Sequence, residues 1–330
     1  MTPEAVYAGA RVLVTGGLGF IGSNLAIELV RLGARVRVVD ALIPQHGGNP
    51  FNVEPIRDQL EIFLEDLRDP EVALARVAGQ DFVFHLAGQV SHGDSMRDPQ
   101  LDLAVNCGAT INLVEACRQA NPGARLVYTS TRQVYGIPRA LPVHESHPTV
   151  PIDVNGINKL AGEYYHLLYQ RTYGLHSAVL RLTNTYGPRQ QIRSDHQGFI
   201  GIMIRQALRG DTLQVFGSGR QLRDFNHVDD VVRALLLAGA TEACFGRVLN
   251  LGAPRHYSLL EFVAELHAAC PLRHQLVPFP DDRKIIDIGD YYGDYSAFAE
   301  ATGWQPAIAL AEGLASTLAH YREHAEVYGR

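Results

Sequence analysis

Cysteine is scarce in this chain. Cys107, Cys117, Cys244 and Cys270 are the only four, and no two form a C-x-x-C pair. That leaves no disulfide framework and no cysteine-based zinc site, and it points to a reducing compartment; no metal is expected. Basic charge is also lacking. A net charge of -6 gives none of the electropositive footprint that nucleic acid requires. No apolar run approaches the length of a membrane span, and the opening residues MTPEAVYAGARV lack the basic start and apolar core of a signal peptide. A cytoplasmic protein without a membrane or nucleic-acid partner is expected. Internal repeats and low-complexity linkers are absent as well. At 46% hydrophobic and 19% charged, the composition is that of a globular protein rather than a disordered one. With 330 residues, more than one core usually serves, so two lobes are expected.

What is present is organised around VLVTGGLGFIGS, Val12 to Ser23. An apolar strand (Val12, Leu13, Val14) runs into Gly16, Gly17, Gly19 and Gly22, and a helical pattern begins at Phe20 and Ile21. Gly17, Gly19 and Gly22 satisfy G-x-G-x-x-G. Such glycines allow a tight strand-to-helix turn, close approach of backbone N–H groups to a pyrophosphate, and close packing of helix on strand. The amino end of the helix then offers free N–H groups to phosphates. A second strand, Arg35 to Val39, ends in Asp40, where the dinucleotide fingerprint places a ribose-binding carboxylate. A carboxylate there repels a 2′-phosphate, and Arg35 and Arg37 lie upstream within the strand. The expected cofactor is therefore NAD.

Strands and helices alternate through the first half. After a loop at Pro44–Pro50 come strands at Leu60–Leu64, Phe82–Leu86, Leu126–Thr129 and Ala178–Leu182. Helical patterns fall at Glu71–Val77, Leu101–Ala120 and Val154–Tyr173. Alternation of this kind means an α/β fold, a Rossmann-type doubly wound parallel sheet with helices on both faces. Ligands sit outside the carboxyl ends of such strands, which aims the loops after Asp40, Leu86, Thr129 and Leu182 at one site. Past Leu182 the rhythm breaks. Helices are read at Gln197–Leu208, Val228–Leu237, Ala297–Ala301 and Leu310–His324, with short strands at Leu213–Phe216, Gln221–Phe225 and Val248–Leu251. The expected division is residues 1–182 for the dinucleotide-binding domain, with a returning segment near 220–250. Residues 183–330 form a smaller, interleaved substrate domain.

With these motifs in view, the chain resembles the extended short-chain dehydrogenase/reductase family of sugar-nucleotide epimerases, dehydratases and decarboxylases. The likeness runs through TGGLGFIG (Thr15–Gly22), HLAGQ (His85–Gln89), TSTRQVYG (Thr129–Gly136), NGINK (Asn155–Lys159), RLTNTYGPR (Arg181–Arg189) and RDFNHVDD (Arg223–Asp230). It implies an NAD site built from Gly16, Gly19, Phe20, Ile21, Gly22, Asp40, Asp66, Leu67, Leu86, Ala87, Gly88 and Lys159. In it Asp66 meets the adenine and Lys159 the nicotinamide ribose. It implies a nucleotide-diphosphate sugar as the partner molecule, with its diphosphate held by Asn184 and Arg223. Residues Gln214 to Phe216, including Val215, would lie along the nucleotide base, and Arg283 would reach the ribose or a phosphate. Arg223 is alternatively a surface ion pair with Asp224. Tyr165 and Tyr169 and the Leu101 helix resemble the surfaces through which family members form homodimers; the alternative is packing within one chain. The helix from Val154 carries Ile157, Leu160, Tyr164, Leu167 and Leu168 at helical spacing.

Two departures shape the functional reading. The family's Ser/Thr-Tyr-Lys site is matched by Thr131 and Lys159, but the Tyr position, four before the lysine, is Asn155. An amide hydrogen-bonds a hydroxyl and cannot deprotonate it. Either another group is the base, the substrate supplies one, or the protein only binds. His92, Tyr135 and Lys159 are the candidates for the base. His92 lies at the correct end of the sheet, with Asp94 to orient it or simply to start the next helix. The bland alternative is an exposed loop histidine. The second departure is Arg132-Gln133, where dehydratases of the family carry an acidic Asp-Glu pair; decarboxylases carry a Glu in place of Gln133. By exclusion the reading is NAD-dependent 4-epimerisation through a transient keto sugar, the rival being a protein that binds without redox turnover. Arg132 either recognises an anionic sugar or is a solvated loop charge.

Overall fold

The computed structural model describes residues 3–44, 46–194 and 198–329. Among the described residues twelve strands follow in chain order: β1 (Arg11–Thr15), β2 (Arg35–Val39), β3 (Leu60–Phe63), β4 (Phe82–His85), β5 (Arg125–Thr131), β6 (His176–Leu182), β7 (Asn184–Tyr186), β8 (Thr212–Phe216), β9 (Leu222–His227), β10 (Val248–Asn250), β11 (His256–Ser258) and β12 (Arg273–Val277). Seven of them make one sheet in the order β3-β2-β1-β4-β5-β6-β10. Every pairing in it is parallel. Strands buried on both faces explain the short Val- and Leu-rich runs in β1, β2 and β4. Strand order reverses between β1 and β4, which leaves a crevice above their carboxyl ends, where ligands bind in such sheets.

Two apolar cores sandwich the sheet. One packs Val12, Val14, Val38 and Phe84 under the helix Phe20–Arg31 and the helix Val228–Ala240. The other packs Leu13, Val83 and Leu126 under Pro70–Val77 and Ala109–Ala120. A third core belongs to the other lobe, where Leu213, Val215, Phe225, Phe262 and Leu314 gather around the pair β8–β12 and the three-stranded set β7–β9–β11. The chain crosses back between lobes: Val248–Asn250 supplies the last strand of the main sheet, and Trp304 Nε1 donates to Asp230 O.

Several sequence readings need correction. Leu101–Ala120 is not a uniform helix. Residues Leu103–Gly108 widen into a π-helical turn before Ala109–Ala120 continues, a distortion frequent at functional sites. The helix Leu259–Ala269 escaped notice, although Ser258 and Glu261 form a full capping box at its start. The helix read from Gln197 spans Phe199–Arg209; Gln197 itself, like Gln45 in the Pro44–Pro50 loop, lies outside the described residues. In the helix Val154–Tyr173 the apolar spacing does not mark the buried face. Ile157, Tyr164 and Leu168 are exposed, while Asn155, Asn158, Lys159, Glu163 and His166 are buried. Tyr165 and Tyr169 pack within the chain against the second core, Tyr169 donating to Glu115 at 2.9 Å.

Candidate active site

The turn after β1 is shaped by its glycines. Gly16 has φ +66°, and a Cβ there would stand 2.8 Å from Ala87 N. A Cβ on Gly22 would run into the carbonyl of Gly16. Only glycine lets the turn lie against the β4 loop and the helix lie against the turn. Gly19 caps the helix Phe20–Arg31 without a side-chain bond of its own, so among the described residues the first N–H groups of the helix stay available to phosphate oxygens. Asp40, at the tip of β2, accepts from Leu18 N at 3.0 Å and Leu42 N at 2.9 Å. Burial raises its pKa and these two amides oppose that. Asp66 forms an Asx turn and an ion pair with Arg68.

These groups open on one cavity of about 780 Å³. It brings together all the residues expected to hold the dinucleotide, the four expected to do chemistry (Thr131, Asn155, Lys159, His92), and Arg132, Asn184, Arg223 and Arg283. Val215 is the exception: its side chain is fully buried in the second-lobe core, because alternation along β8 turns it inward and leaves Phe216 to line the cavity. Arg283 sits 5.4 Å above the Phe216 ring.

Thr131 accepts from Gln133 N at 3.2 Å and caps the short turn Arg132–Tyr135, so its hydroxyl proton remains to be donated. Lys159 donates to Thr129 O at 3.1 Å. Burial lowers its pKa to about 8 against the opposing pull of Asp102 and Glu163. Gly88 keeps the approach to it clear: a Cβ would lie 3.0 Å from Lys159 Nζ.

Asn155 stands where the sequence placed it and is turned into a buried network. Its Nδ2 donates to Gln89 O at 2.8 Å and Asp102 Oδ2 at 3.2 Å. Both partners are acceptors, which fixes the amide orientation. Asp102, fully buried, also receives Asn106 at 3.1 Å and Asn158 at 2.8 Å. The π-helical turn brings Asn106 into this ring. Asn155 thus has only its Oδ1 left to offer the cavity.

His92 takes its partner from a residue the sequence reading did not single out. Its Nδ1 lies 3.0 Å from Asp153 Oδ2. Asp153 is almost wholly buried, caps the helix Val154–Tyr173 through Gly156 N, and accepts from Gln133 Nε2 at 2.7 Å. Burial pushes its pKa up, yet His92 and these donors together hold it below the usual carboxylate value. Asp94 is not the orienting group; it begins the helix His92–Arg97 and pairs with Arg97. The clue to Asp153 was available, since an Asp directly before a helical pattern is a cap signal.

Tyr135 is excluded as a base. It is 1% exposed, lies outside the cavity and donates to Asn250 at 2.7 Å. No tyrosine lines the cavity among the described residues. Arg223 pairs with Asp287 at 2.9 Å rather than with Asp224, which accepts from Gly293 N and Thr183. Burial first, and then the charge of Arg132, lower the Arg223 pKa to about 10. Arg132 is not a solvated loop charge: it donates to Asn184 Oδ1 at 2.9 Å, and its pKa is lowered by burial. Arg132 and Arg223 thus stand in one wall of the cavity, where their charges oppose each other.

Residues 12–252 match the model of the NAD dependent epimerase/dehydratase family. A UDP-glucose 4-epimerase of Mycolicibacterium smegmatis is 35% identical over 96% of this chain and 100% of its own length. A dTDP-glucose 4,6-dehydratase of an Actinoplanes species is 33% identical over 94% of this chain and 98% of its own. Among solved structures, a UDP-glucose 4-epimerase with UDP-glucose from Thermotoga maritima superposes with TM-score 0.88 at 31% identity, covering 96% of this chain and 99% of that one. The cofactor of the family is NAD. The glycine turn cleared of side chains, the bare helix terminus and the carboxylate after β2 fit it.

Proposed function

The chain belongs to the NAD-dependent epimerase/dehydratase family, and from that premise we propose that it interconverts the C4 epimers of a nucleotide-linked sugar through a transient 4-keto form. When bound, the nicotinamide supplies a reversible hydride acceptor. The observation that carries the reading is the state of Gln133: its Nε2 is committed to Asp153 and to Ile286 O at 3.0 Å, and its neighbour Arg132 is bound to Asn184. Neither can give or take the protons that water elimination needs. Epimerisation needs no such pair.

In this reading Thr131 donates its hydroxyl proton to the reacting sugar oxygen, and Asn155 offers Oδ1 to a neighbouring hydroxyl. Lys159 holds the nicotinamide ribose and keeps positive charge beside the reacting oxygen. Gly16, Gly19, Gly22 and the start of the helix hold the pyrophosphate; Asp40 holds the adenosine ribose. Asn184, Arg132 and Arg223 hold the sugar-nucleotide diphosphate, while Phe216 and Arg283 flank the base. The test is incubation of the NAD-loaded protein with UDP-, CDP-, dTDP- and GDP-linked hexoses, products resolved by NMR. A C4 epimer is the expected product. A 4-keto-6-deoxy product, or no conversion of any, sinks the reading.

The lack of a tyrosine in the cavity favours one rival, a protein that binds NAD and a nucleotide sugar without redox turnover. Reduced-nicotinamide absorbance appearing on mixing with a nucleotide sugar dismisses it. The outward apolar face of the helix Val154–Tyr173, where Ile157, Tyr164 and Leu168 are 53%, 61% and 42% exposed, supports a homodimer built on that helix. Light scattering should give twice the chain mass, and Tyr164→Asp should return the monomer.

A further inference from the structure

The seat at residue 155 holds an amide, so the sugar hydroxyl needs another proton acceptor. The candidates can be counted from the cavity wall. Among the described residues lining it, the imidazole and amine side chains are His46, His92 and Lys159. His46 lies on the loop after β2, two residues before Gly48, which packs on Asp40 at the dinucleotide end. Lys159 already donates to Thr129 O and must carry charge to serve the ribose.

His92 has the properties of a base. It is 34% exposed at its side chain and lines the cavity with Thr131 and Asn155. Its Nδ1 is buried and stands 3.0 Å from Asp153 Oδ2, at ion-pair distance but outside hydrogen-bond geometry. The negative charge of Asp153 at that distance favours the proton on Nδ1, and a small turn of the ring completes the hydrogen bond, which leaves Nε2 as the acceptor. Nε2 has no protein partner among the described residues. Asp153 is fixed in turn, by Gly156 N at 2.6 Å and Gln133 Nε2 at 2.7 Å.

A second tether sets the ring beside residue 155. Ser95 Oγ donates to His92 O at 2.8 Å and accepts from Asn155 N at 3.2 Å. One serine therefore links the histidine's turn to the backbone of the position where the family carries tyrosine, and Asp153 sits two residues before it. The two tethers hold His92 at the same end of the cavity as Thr131.

We propose that His92 is the catalytic base of this site, with Asp153 as its positioning residue, replacing the missing phenol. This rests on the epimerase reading above. As the sugar O–H bond breaks, its proton passes to His92 Nε2. The C–H electron pair leaves as hydride to the oxidised nicotinamide, and the C=O bond forms. On return the hydride goes back to the opposite face of that carbon and His92 gives its proton to the oxygen.

The test uses the NAD-loaded protein and whichever panel sugar it converts. His92→Gln should lower kcat about 10²–10⁴-fold with KM within threefold. His92→Gly should recover at least tenfold on adding imidazole. Asp153→Asn keeps a helix-capping oxygen and should lower kcat about tenfold or more at unchanged KM. A His92→Gln enzyme within threefold of wild-type kcat overturns the proposal. A readout without substrate separates it from the epimerase reading: ¹⁵N NMR of the NAD-loaded protein should show His92 protonated at Nδ1, with that proton strongly deshielded, and the deshielding lost in Asp153→Asn. An Nε2–H tautomer overturns the dyad even in an active epimerase. A protein that converts no sugar sinks the epimerase reading, while the tautomer still decides the arrangement of His92 and Asp153.

Discussion

Two helices pack on the same two strands, β5 and β6, from opposite faces, and they are built in opposite ways. Val228–Ala240 lays Val231, Leu235 and Ala238 on Val127, Ala178 and Leu180. Val154–Tyr173 lays a polar face on the other side, and the strands answer with polar side chains at alternate positions. Glu163 takes both guanidinium arms of Arg181, at 2.9 and 2.6 Å, and also binds Ser130. His166 reaches Ser177 at 2.7 Å and stacks on Tyr128 with ring centres 4.7 Å apart. One contact surface is held by apolar area, the other by paired polar groups. The polar layer stands directly behind Lys159, and two of its atoms, Tyr128 Oη and His166 Nε2, have no hydrogen-bond partner among the described residues.

The contrast makes quantitative predictions. The largest effect falls on the polar side: Glu163→Ala leaves Arg181 charged and buried, and should destabilise by about 3–5 kcal/mol in urea unfolding. On the apolar side, Leu235→Ala opens a cavity and should cost about 3 kcal/mol. If the second loss exceeds the first, the polar layer is not the stronger constraint. His166 gives a pH signature that the apolar face cannot. Burial first, then the charge of Lys159, depress its pKa to about 3, below the unfolded value of about 6.5. Its contribution is therefore complete above pH 6.5 and is lost as pH falls toward 3, by about 1.4 kcal/mol per unit. Comparing stabilities at pH 6.5 and 5 should show this slope in wild type and a shallower one in His166→Gln. The smallest effect is expected at Arg171→Ala, an exposed position near the end of the polar-faced helix: no more than about 0.5 kcal/mol.

The same contrast explains what the sequence disclosed. The glycine turn, Asp40 and the alternation of strands and helices were legible because backbone geometry forces particular residue types there. Glycine at residue 16 is demanded by a positive φ and by Ala87. The buried face of the helix Val154–Tyr173 was not legible, because spacing of apolar residues marks a buried face only where burial is apolar; here Asn158, Glu163 and His166 go inside, each with a partner that pattern alone does not reveal. Asp153 and Asp287 were missed for a related reason. They pair with His92 and Arg223, distant in sequence, and such pairing leaves no local signal; for Asp153 the cap position was readable and only the pairing was not. Ser258 and Glu261 differ: their capping box was readable and passed over.

Gln133 spends both hydrogens of one nitrogen on two different parts of the molecule, Asp153 on the floor of the site and the carbonyl of Ile286 on the segment that walls its mouth. If that segment swings outward, a buried N–H loses its acceptor, at a cost of about 1–3 kcal/mol, unless the glutamine travels with it and lets go of Asp153 instead. Arg223 ties the same segment through Asp287 and the carbonyl of Gly289, so the seating of that wall and the setting of the carboxylate behind His92 depend on each other.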